Sequence, residues 1–127
     1  MNIMNKKKNK TDPVNALLLN KLIKKYNFTH GAELGVRRGD FSAYLLRENS
    51  NLVMSCVDIW DKHDCLNETH NHKINYIIYS QKTKQYRNRI IEYKMLMSEA
   101  SKLHKDKSLD FIFIDGTHTY NAVKEDI

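Results

Sequence analysis

Short apolar runs alternate with segments of helical periodicity along most of this sequence, and that alternation limits the possible folds more than any other feature. The apolar runs cover residues 32–36, 52–59, 90–95 and 109–114. Runs of this length predict strands, whereas apolar residues that recur every three or four positions predict amphipathic helices. Strands that alternate with helices are typical of a parallel sheet with right-handed crossovers. We therefore expect an α/β protein, and the nearly continuous apolar run at 109–114 predicts a central strand covered on both faces.

The helical segments complete the predicted architecture. Thr11-Asp12-Pro13 is a favourable start for a first helix that extends to Tyr26, and His30-Gly31 is expected to break the chain after it. Further helices are predicted over residues 40–47, 74–86 and 98–104, and from residue 119 onward. Because the last helix reaches the end of the sequence without a stop signal, we expect the domain to be incomplete at its C-terminus.

The length of 127 residues is typical of one domain. Residues 1–10 are polar and basic, which predicts a disordered tail, and residues 11–127 form the predicted domain. If the sheet ended with its fourth strand, that apolar strand would be an exposed edge, and such an edge favours association between copies of the chain.

The formal net charge is +6, and much of the excess comes from lysines in the tail and in the first helix. Basic chains often bind nucleic acid, but these lysines accompany many asparagines, as an AT-rich coding sequence would produce without selection for binding. We therefore interpret them as a solvated surface. No apolar run approaches the ~18 residues that span a bilayer, no secretory signal is present, and Cys56 and Cys65 lack metal-site spacing. We expect a cytoplasmic protein with no membrane partner, and Cys56 in its core.

Acidic residues and glycines follow three of the predicted strands, at the edge where open α/β sheets bind ligands. The first strand leads into Glu33-x-Gly35-x-x-x-Gly39, where glycines permit a tight turn and the following helix offers N–H groups to an anion. Asp58 ends the second strand, where a carboxylate can accept hydrogen bonds from both hydroxyls of a ribose. Trp60 follows it, either against the base of a nucleoside cofactor or in the core. Asp115 ends the fourth strand, as a site residue or as a helix cap.

The glycine spacing disfavours a dinucleotide cofactor. That fingerprint requires Gly-x-Gly-x-x-Gly directly after the first strand. Here Arg37 occupies the position of the second glycine. An oxidoreductase of the NAD type is therefore an alternative that the sequence does not favour.

Three stretches carry a resemblance to a known family. They are residues 31–46 (GAELGVRRGDFSAYLL), 57–60 (VDIW) and 108–127 (SLDFIFIDGTHTYNAVKEDI). Together they resemble the class I S-adenosylmethionine-dependent methyltransferases, and within them the family called methyltransferase domain 24. The resemblance implies a Rossmann-like three-layer sandwich whose parallel sheet has about four strands in the order 3-2-1-4, truncated before the remaining strands.

The resemblance also implies which residues bind S-adenosylmethionine. Those assigned to the methionine end are Glu33, Gly35, Gly39 and Ser42. Asp58 would hold the ribose. Those assigned to the adenine are Ile59, Trp60, Ser98 and Glu99.

Catechol-type O-methyltransferases have a metal-binding aspartate at the position of Asp115, and at the position of His118 a lysine that deprotonates the acceptor hydroxyl. The resemblance therefore implies that Asp115 lies at the cofactor and binds a divalent cation such as Mg²⁺, and that His118 is the catalytic base. A neutral imidazole can take the proton while a cation lowers the pKa of the hydroxyl. The expected activity is methyl transfer to a small-molecule or glycan acceptor, directed to oxygen.

Three other functions stay open at this point. The chain could be a non-catalytic remnant that binds S-adenosylmethionine, an NAD-type oxidoreductase, or a basic nucleic-acid-binding module in which tyrosines stack on bases. The helical spacing of Tyr76, Tyr79 and Tyr86 favours packing instead. The histidines at positions 63, 70 and 72 match no zinc template and are interpreted as part of a solvated loop.

Overall fold

The structure of the chain is a computed structural model, and it describes residues 14–60, 72–100, 102 and 108–114. Its helices are α1 (Val14–Tyr26), α2 (Asp40–Glu48), α3 (His72–Thr83) and α4 (Met97–Ala100), with a 3-10 helix over Lys84–Arg89. Its strands are β1 (His30–Leu34), β2 (Val53–Asp58), β3 (Ile90–Lys94) and β4 (Phe111–Ile114). The predicted alternation of strands and helices is confirmed.

The four described strands form one parallel sheet in the order β3-β2-β1-β4. This confirms the predicted α/β fold and its strand order. The chain builds outward from β1 to β3 and then returns to place β4 on the other side of β1. The sheet therefore has its switch point beside β1, where ligands of open α/β sheets bind at the carboxyl ends of the strands.

Helices cover both faces of the sheet, as the expected three-layer sandwich requires. On one face, Phe41 of α2 stacks on Phe113 of β4 with ring centroids 4.1 Å apart. On the other face, Ala100 of α4 packs with Leu34 and Val57, and none of the three is more than 6% exposed. Burial of these side chains, rather than helix propensity, holds the short helix α4 in place.

The sequence predicts that Gly31 breaks the chain before β1. In the structure, Gly31 instead lies inside this strand. It pairs with Phe111 of β4, and the Phe111 ring occupies the space that a side chain at position 31 would need. The predicted strand over 32–36 is consequently shifted to His30–Leu34. It ends there because Gly35 adopts a φ of 94° and turns the chain away from the sheet.

The sequence predicts that β4 is covered on both faces. Within the described residues this prediction is wrong. β4 lies at the edge of this sheet, and Ile112 is 53% exposed. The predicted helix over 74–86 also ends early, because the backbone changes to a 3-10 helix after Thr83. The buried Thr83 hydroxyl donates to the carbonyl of Tyr79, an arrangement that competes with regular helix geometry.

Several predictions fall outside the described residues and stay predictions. They are the disordered tail over 1–10, the helix start at Thr11-Asp12-Pro13, the solvated loop with His63 and His70, and the helix from residue 119 onward. None of the helices that the structure describes has the length and apolar character needed to cross a membrane.

Asp110 joins β4 to the start of β1. Its Oδ2 accepts hydrogen bonds from the backbone N–H groups of Thr29, at 2.8 Å, and His30, at 3.1 Å. These hydrogen bonds lower the pKa of Asp110 below its ordinary value of 3.8. Because the pKa is lower in the folded state, the carboxylate stabilises the fold above that value, and the effect is lost as the pH falls below it.

Asp110→Asn is therefore expected to lower the free energy of unfolding by about 1 kcal/mol at pH 7, a small effect because the carboxylate is exposed. Denaturant unfolding should show this difference narrowing as the pH falls below 3.8. Glu48→Gln, at a partly exposed carboxylate, is the control. A difference that persisted unchanged into acid would contradict the assigned role of the charge.

Candidate cofactor site

The carboxyl ends of β1 and β2 are hydrogen-bonded to each other where the candidate site begins. The Gly35 N–H donates to the Val57 carbonyl at 2.8 Å, which completes the pairing of Leu34 with Val57 at the end of β1. On the other side of β2, the Met95 N–H donates to the Asp58 carbonyl at 3.0 Å. The turns after three neighbouring strands therefore begin at one edge of the sheet.

The turn from Gly35 to Gly39 depends on left-handed backbone conformations. Gly35 has a φ of 94°, Gly39 a φ of 86°, and Arg37 between them a φ of 57°. A Cβ at position 39 would also lie 3.0 Å from Cδ1 and 3.3 Å from Cα of Tyr79, so a side chain there would fit only if Tyr79 of α3 moved by a few tenths of an ångström. Glycine is favoured at position 39 for both reasons, and it allows α2 and α3 to pack closely beside the turn.

Asp58 is oriented by the backbone on both sides of it. Its Oδ2 accepts from the Arg37 N–H at 2.6 Å, and its Oδ1 accepts from the Trp60 N–H at 3.0 Å. The residue is 9% exposed. A carboxylate has about four lone-pair positions, so both oxygens retain capacity for the hydroxyls of a ribose. The predicted neighbourhood of the glycine turn and Asp58 is thus present, and it fits a nucleoside cofactor.

Trp60 lies in the core, one of the two positions that the sequence left open. Its side chain is 0% exposed, and its ring stacks on Tyr79 with centroids 4.6 Å apart. The indole Nε1–H donates to the carbonyl of Arg37 at 2.8 Å. The ring therefore contacts the turn from Gly35 to Gly39 from the core of the protein.

Glu33 and Ser42 bind each other. The Ser42 hydroxyl donates to Oε1 of Glu33 at 2.7 Å, and Cys56 Sγ lies 3.5 Å from the Ser42 oxygen as a donor to it. All three residues are at most 1% exposed. Burial raises the pKa of the Cys56 thiol to about 12, so the thiol stays protonated at neutral pH. Cys56 is the core residue that the sequence predicts.

Ser42→Ala is expected to lower the free energy of unfolding by about 2 kcal/mol, because the buried Glu33 carboxylate loses a hydrogen bond. The affinity for S-adenosylhomocysteine should change little. Denaturant unfolding and calorimetric titration measure the two effects, with the exposed Ser50→Ala as control. Unchanged stability together with weakened binding would instead support the predicted contact of Ser42 with the cofactor.

The residues predicted beside the adenine follow β2 and β3. Ile59 and Ser98 are half-buried. The Glu99 carboxylate accepts from the Leu96 N–H at 3.1 Å and so caps the first turn of α4. The helix α4 starts at Met97, one residue before the predicted cap position Ser98.

Sequence reasoning missed the polar cluster that supports Trp60. The hydroxyls of Tyr76 and Tyr79 both donate to Glu92 of β3, at 2.9 and 3.1 Å, and Arg87 donates to Glu92 at 3.0 Å. Burial raises the pKa of Tyr79 above its ordinary value, so its phenol stays a donor. The signal was Glu92, an acidic residue at the centre of β3. The expectation that these tyrosines are packing residues agrees with their positions.

Asp115 and His118 lie outside the described residues, so their predicted roles stay predictions. Within the parts of the chain that the structure describes, no three His, Cys, Asp or Glu side chains are grouped as a metal site would need.

A parallel sheet in this order, with a glycine turn after β1 and an acidic residue ending β2, defines a Rossmann-like domain of the class that binds nucleoside cofactors. The model of the methyltransferase domain 24 family, described as a methyltransferase domain, matches residues 32–127. The chain belongs to this family. Among proteins with curated descriptions, none matches the chain.

Solved structures share the fold. A candidate caffeoyl-CoA O-methyltransferase from Staphylococcus aureus is 21% identical with a TM-score of 0.63, over 85% of this chain and 47% of that one. An O-methyltransferase from Bacillus cereus, solved with S-adenosylhomocysteine, is 17% identical with a TM-score of 0.59, over 83% and 45%. A candidate sarcosine dimethylglycine methyltransferase from Galdieria sulphuraria is 17% identical with a TM-score of 0.55, over 80% and 34%. The chain spans less than half the length of these structures.

Proposed function

We propose that the chain binds S-adenosylmethionine at the carboxyl edge of its sheet and forms the cofactor-binding part of a methyltransferase. The observation that carries this proposal is the Asp58 carboxylate, which is held against the glycine turn by the Arg37 N–H at 2.6 Å. That arrangement places a carboxylate that can accept hydrogen bonds from a ribose beside a turn that the carboxylate of methionine can approach. Membership of the methyltransferase domain 24 family supports the same cofactor.

The proposal assigns a role to each part of the site. Asp58 accepts hydrogen bonds from the ribose hydroxyls, and the turn from Gly35 to Gly39 lies at the methionine end. Ile59 and Ser98 contact the adenine from the ends of β2 and β3. Glu33 and Ser42 act from inside the fold, because their mutual hydrogen bond fixes the start of α2 against β1. The bound cofactor supplies the electrophilic methyl group.

Titration of the chain with S-adenosylhomocysteine and with NAD tests the proposal. We expect saturable binding of one S-adenosylhomocysteine per chain and no heat from NAD. Preferential binding of NAD would support an oxidoreductase instead. If the folded chain bound neither compound, the proposed function would be wrong.

For the chemical step we propose transfer to oxygen on a small-molecule or glycan acceptor, with His118 as the base and Asp115 as a ligand of a divalent cation. With labelled S-adenosylmethionine and a catechol as the probe acceptor, His118→Ala is expected to reduce transfer about 100-fold, because the proton acceptor is lost. Its affinity for S-adenosylhomocysteine should stay unchanged. Removal of divalent cations with a chelator tests the role of Asp115, and transfer that survives both changes would contradict these two assignments.

A further inference from the structure

Arg37 lies at the middle of the turn from Gly35 to Gly39, and both its N–H and its carbonyl group form hydrogen bonds. Its φ of 57° is a left-handed conformation, which is unfavourable for a residue with a Cβ. Its N–H donates to Asp58 at 2.6 Å, and its carbonyl accepts from the Trp60 indole at 2.8 Å. Both partners come from the end of β2, so the peptide groups around Arg37 link the two halves of the candidate site.

The Trp60 indole is itself fixed by contacts that do not involve the turn. Tyr79 stacks on it, and Tyr76 meets it edge-on with ring centroids 5.2 Å apart. Both tyrosines are anchored through their hydroxyls to Glu92 on β3. The position of the indole N–H is therefore set by α3 and β3, which makes it a rigid donor to the turn.

Besides the hydrogen bond from Arg37, Asp58 receives one from the backbone of Trp60. The backbone N–H of Trp60 donates to Oδ1 at 3.0 Å, while the side chain of Trp60 donates to Arg37. Trp60 thus constrains two parts of the site. They are the Asp58 carboxylate, which the proposed function assigns to the ribose, and the turn from Gly35 to Gly39, which it assigns to the methionine end. With 0% of its surface exposed, the indole has no face available for stacking on a base.

We propose that Trp60 is a positioning residue whose indole N–H holds the Arg37 carbonyl and thereby keeps the glycine turn and Asp58 in the arrangement that binds the cofactor. The proposal rests on the proposed function, since it concerns the same site. It assigns Trp60 a contact with the backbone of the pocket in place of a contact with adenine.

The chain contains a single tryptophan, so an analogue incorporated in place of tryptophan changes Trp60 alone. In β-(3-benzothienyl)alanine a sulfur atom replaces the indole N–H with little change of shape. 5-Fluorotryptophan retains the N–H and is the matched control. Trp60→Phe, which also lacks the donor, is the genetically encoded second variant.

We expect the benzothienyl chain to bind S-adenosylhomocysteine at least about fivefold more weakly than the fluorotryptophan chain, the effect of one lost hydrogen bond. In the absence of ligand, the Arg37 amide proton should exchange faster in the benzothienyl chain, whereas amide protons in the middle of β2 should not. A role in core packing alone would lower the thermal midpoint of Trp60→Phe without this local difference in exchange between the two analogues.

Equal affinity and equal Arg37 exchange in the two analogue chains would overturn the proposal. If no form of the chain bound S-adenosylhomocysteine, the proposed function would fail, and with it the part of the proposal that concerns the cofactor. Amide exchange at Arg37 would then still decide separately whether the indole N–H holds the turn.

Discussion

Asp58→Ala is expected to weaken the binding of S-adenosylhomocysteine by about 100-fold or more. A carboxylate that accepts two ribose hydroxyls contributes two charge-assisted hydrogen bonds, and their loss has an effect of this size. The substitution also removes the acceptor of the Arg37 and Trp60 N–H groups, so the glycine turn loses its support. Both consequences act in the same direction on affinity.

Calorimetric titration measures the effect, and two further variants separate its causes. Asp58→Asn keeps a side-chain oxygen that can accept from the Arg37 N–H but removes the charge, so its affinity should be intermediate. Glu48→Ala, at the C-terminal end of α2, should bind as the unmodified chain does. Binding by Asp58→Ala within threefold of the unmodified chain would show that Asp58 does not hold the ribose.

Gly31→Ala is expected to lower the free energy of unfolding by about 3 kcal/mol. The new Cβ would collide with the ring of Phe111 on the neighbouring strand, and over-packing of this kind forces side chains and backbone to shift. The half-buried Phe111 ring would have to move, and this would disturb its contact with Phe28, whose ring centroid lies 6.0 Å away.

A double-mutant cycle with Phe111→Leu tests the cause. The leucine side chain is smaller, so Gly31→Ala should cost much less in the Phe111→Leu background than in the unmodified chain. Denaturant unfolding of all four chains measures the interaction. Additive effects of the two substitutions would mean that the collision with the ring is not the source of the instability.

Most of the fold could be predicted from the sequence, because it depends on local patterns. The apolar runs and the three-to-four spacing identify the strands and helices, and right-handed crossovers then leave few topologies. The boundaries were less accurate where a particular side-chain contact decides them. Gly31 belongs to β1 because it pairs with Phe111, which is distant in sequence, whereas α3 ends at Thr83 because of a local side-chain hydrogen bond within the helix.

The sequence predicts a set of candidate site residues but not the contacts between them. Glycine spacing and an acidic strand end indicate where a nucleoside cofactor can bind. They do not reveal that the Glu33 carboxylate accepts from Ser42, or that Glu99 caps its own helix. Polar residues next to a strand end can point toward a ligand or into the core, and local sequence does not distinguish the two.

The sequence alone determines the order of the elements, the glycine turn and the position of Asp58, because each follows from local periodicity and backbone sterics. The tertiary structure decides what surrounds them. Trp60 is buried because Tyr79, nineteen positions away, stacks on it, and its indole N–H then meets the Arg37 carbonyl. Such contacts join residues far apart in the chain, and their existence depends on the packing of α3 against the sheet, which no single segment of the sequence encodes.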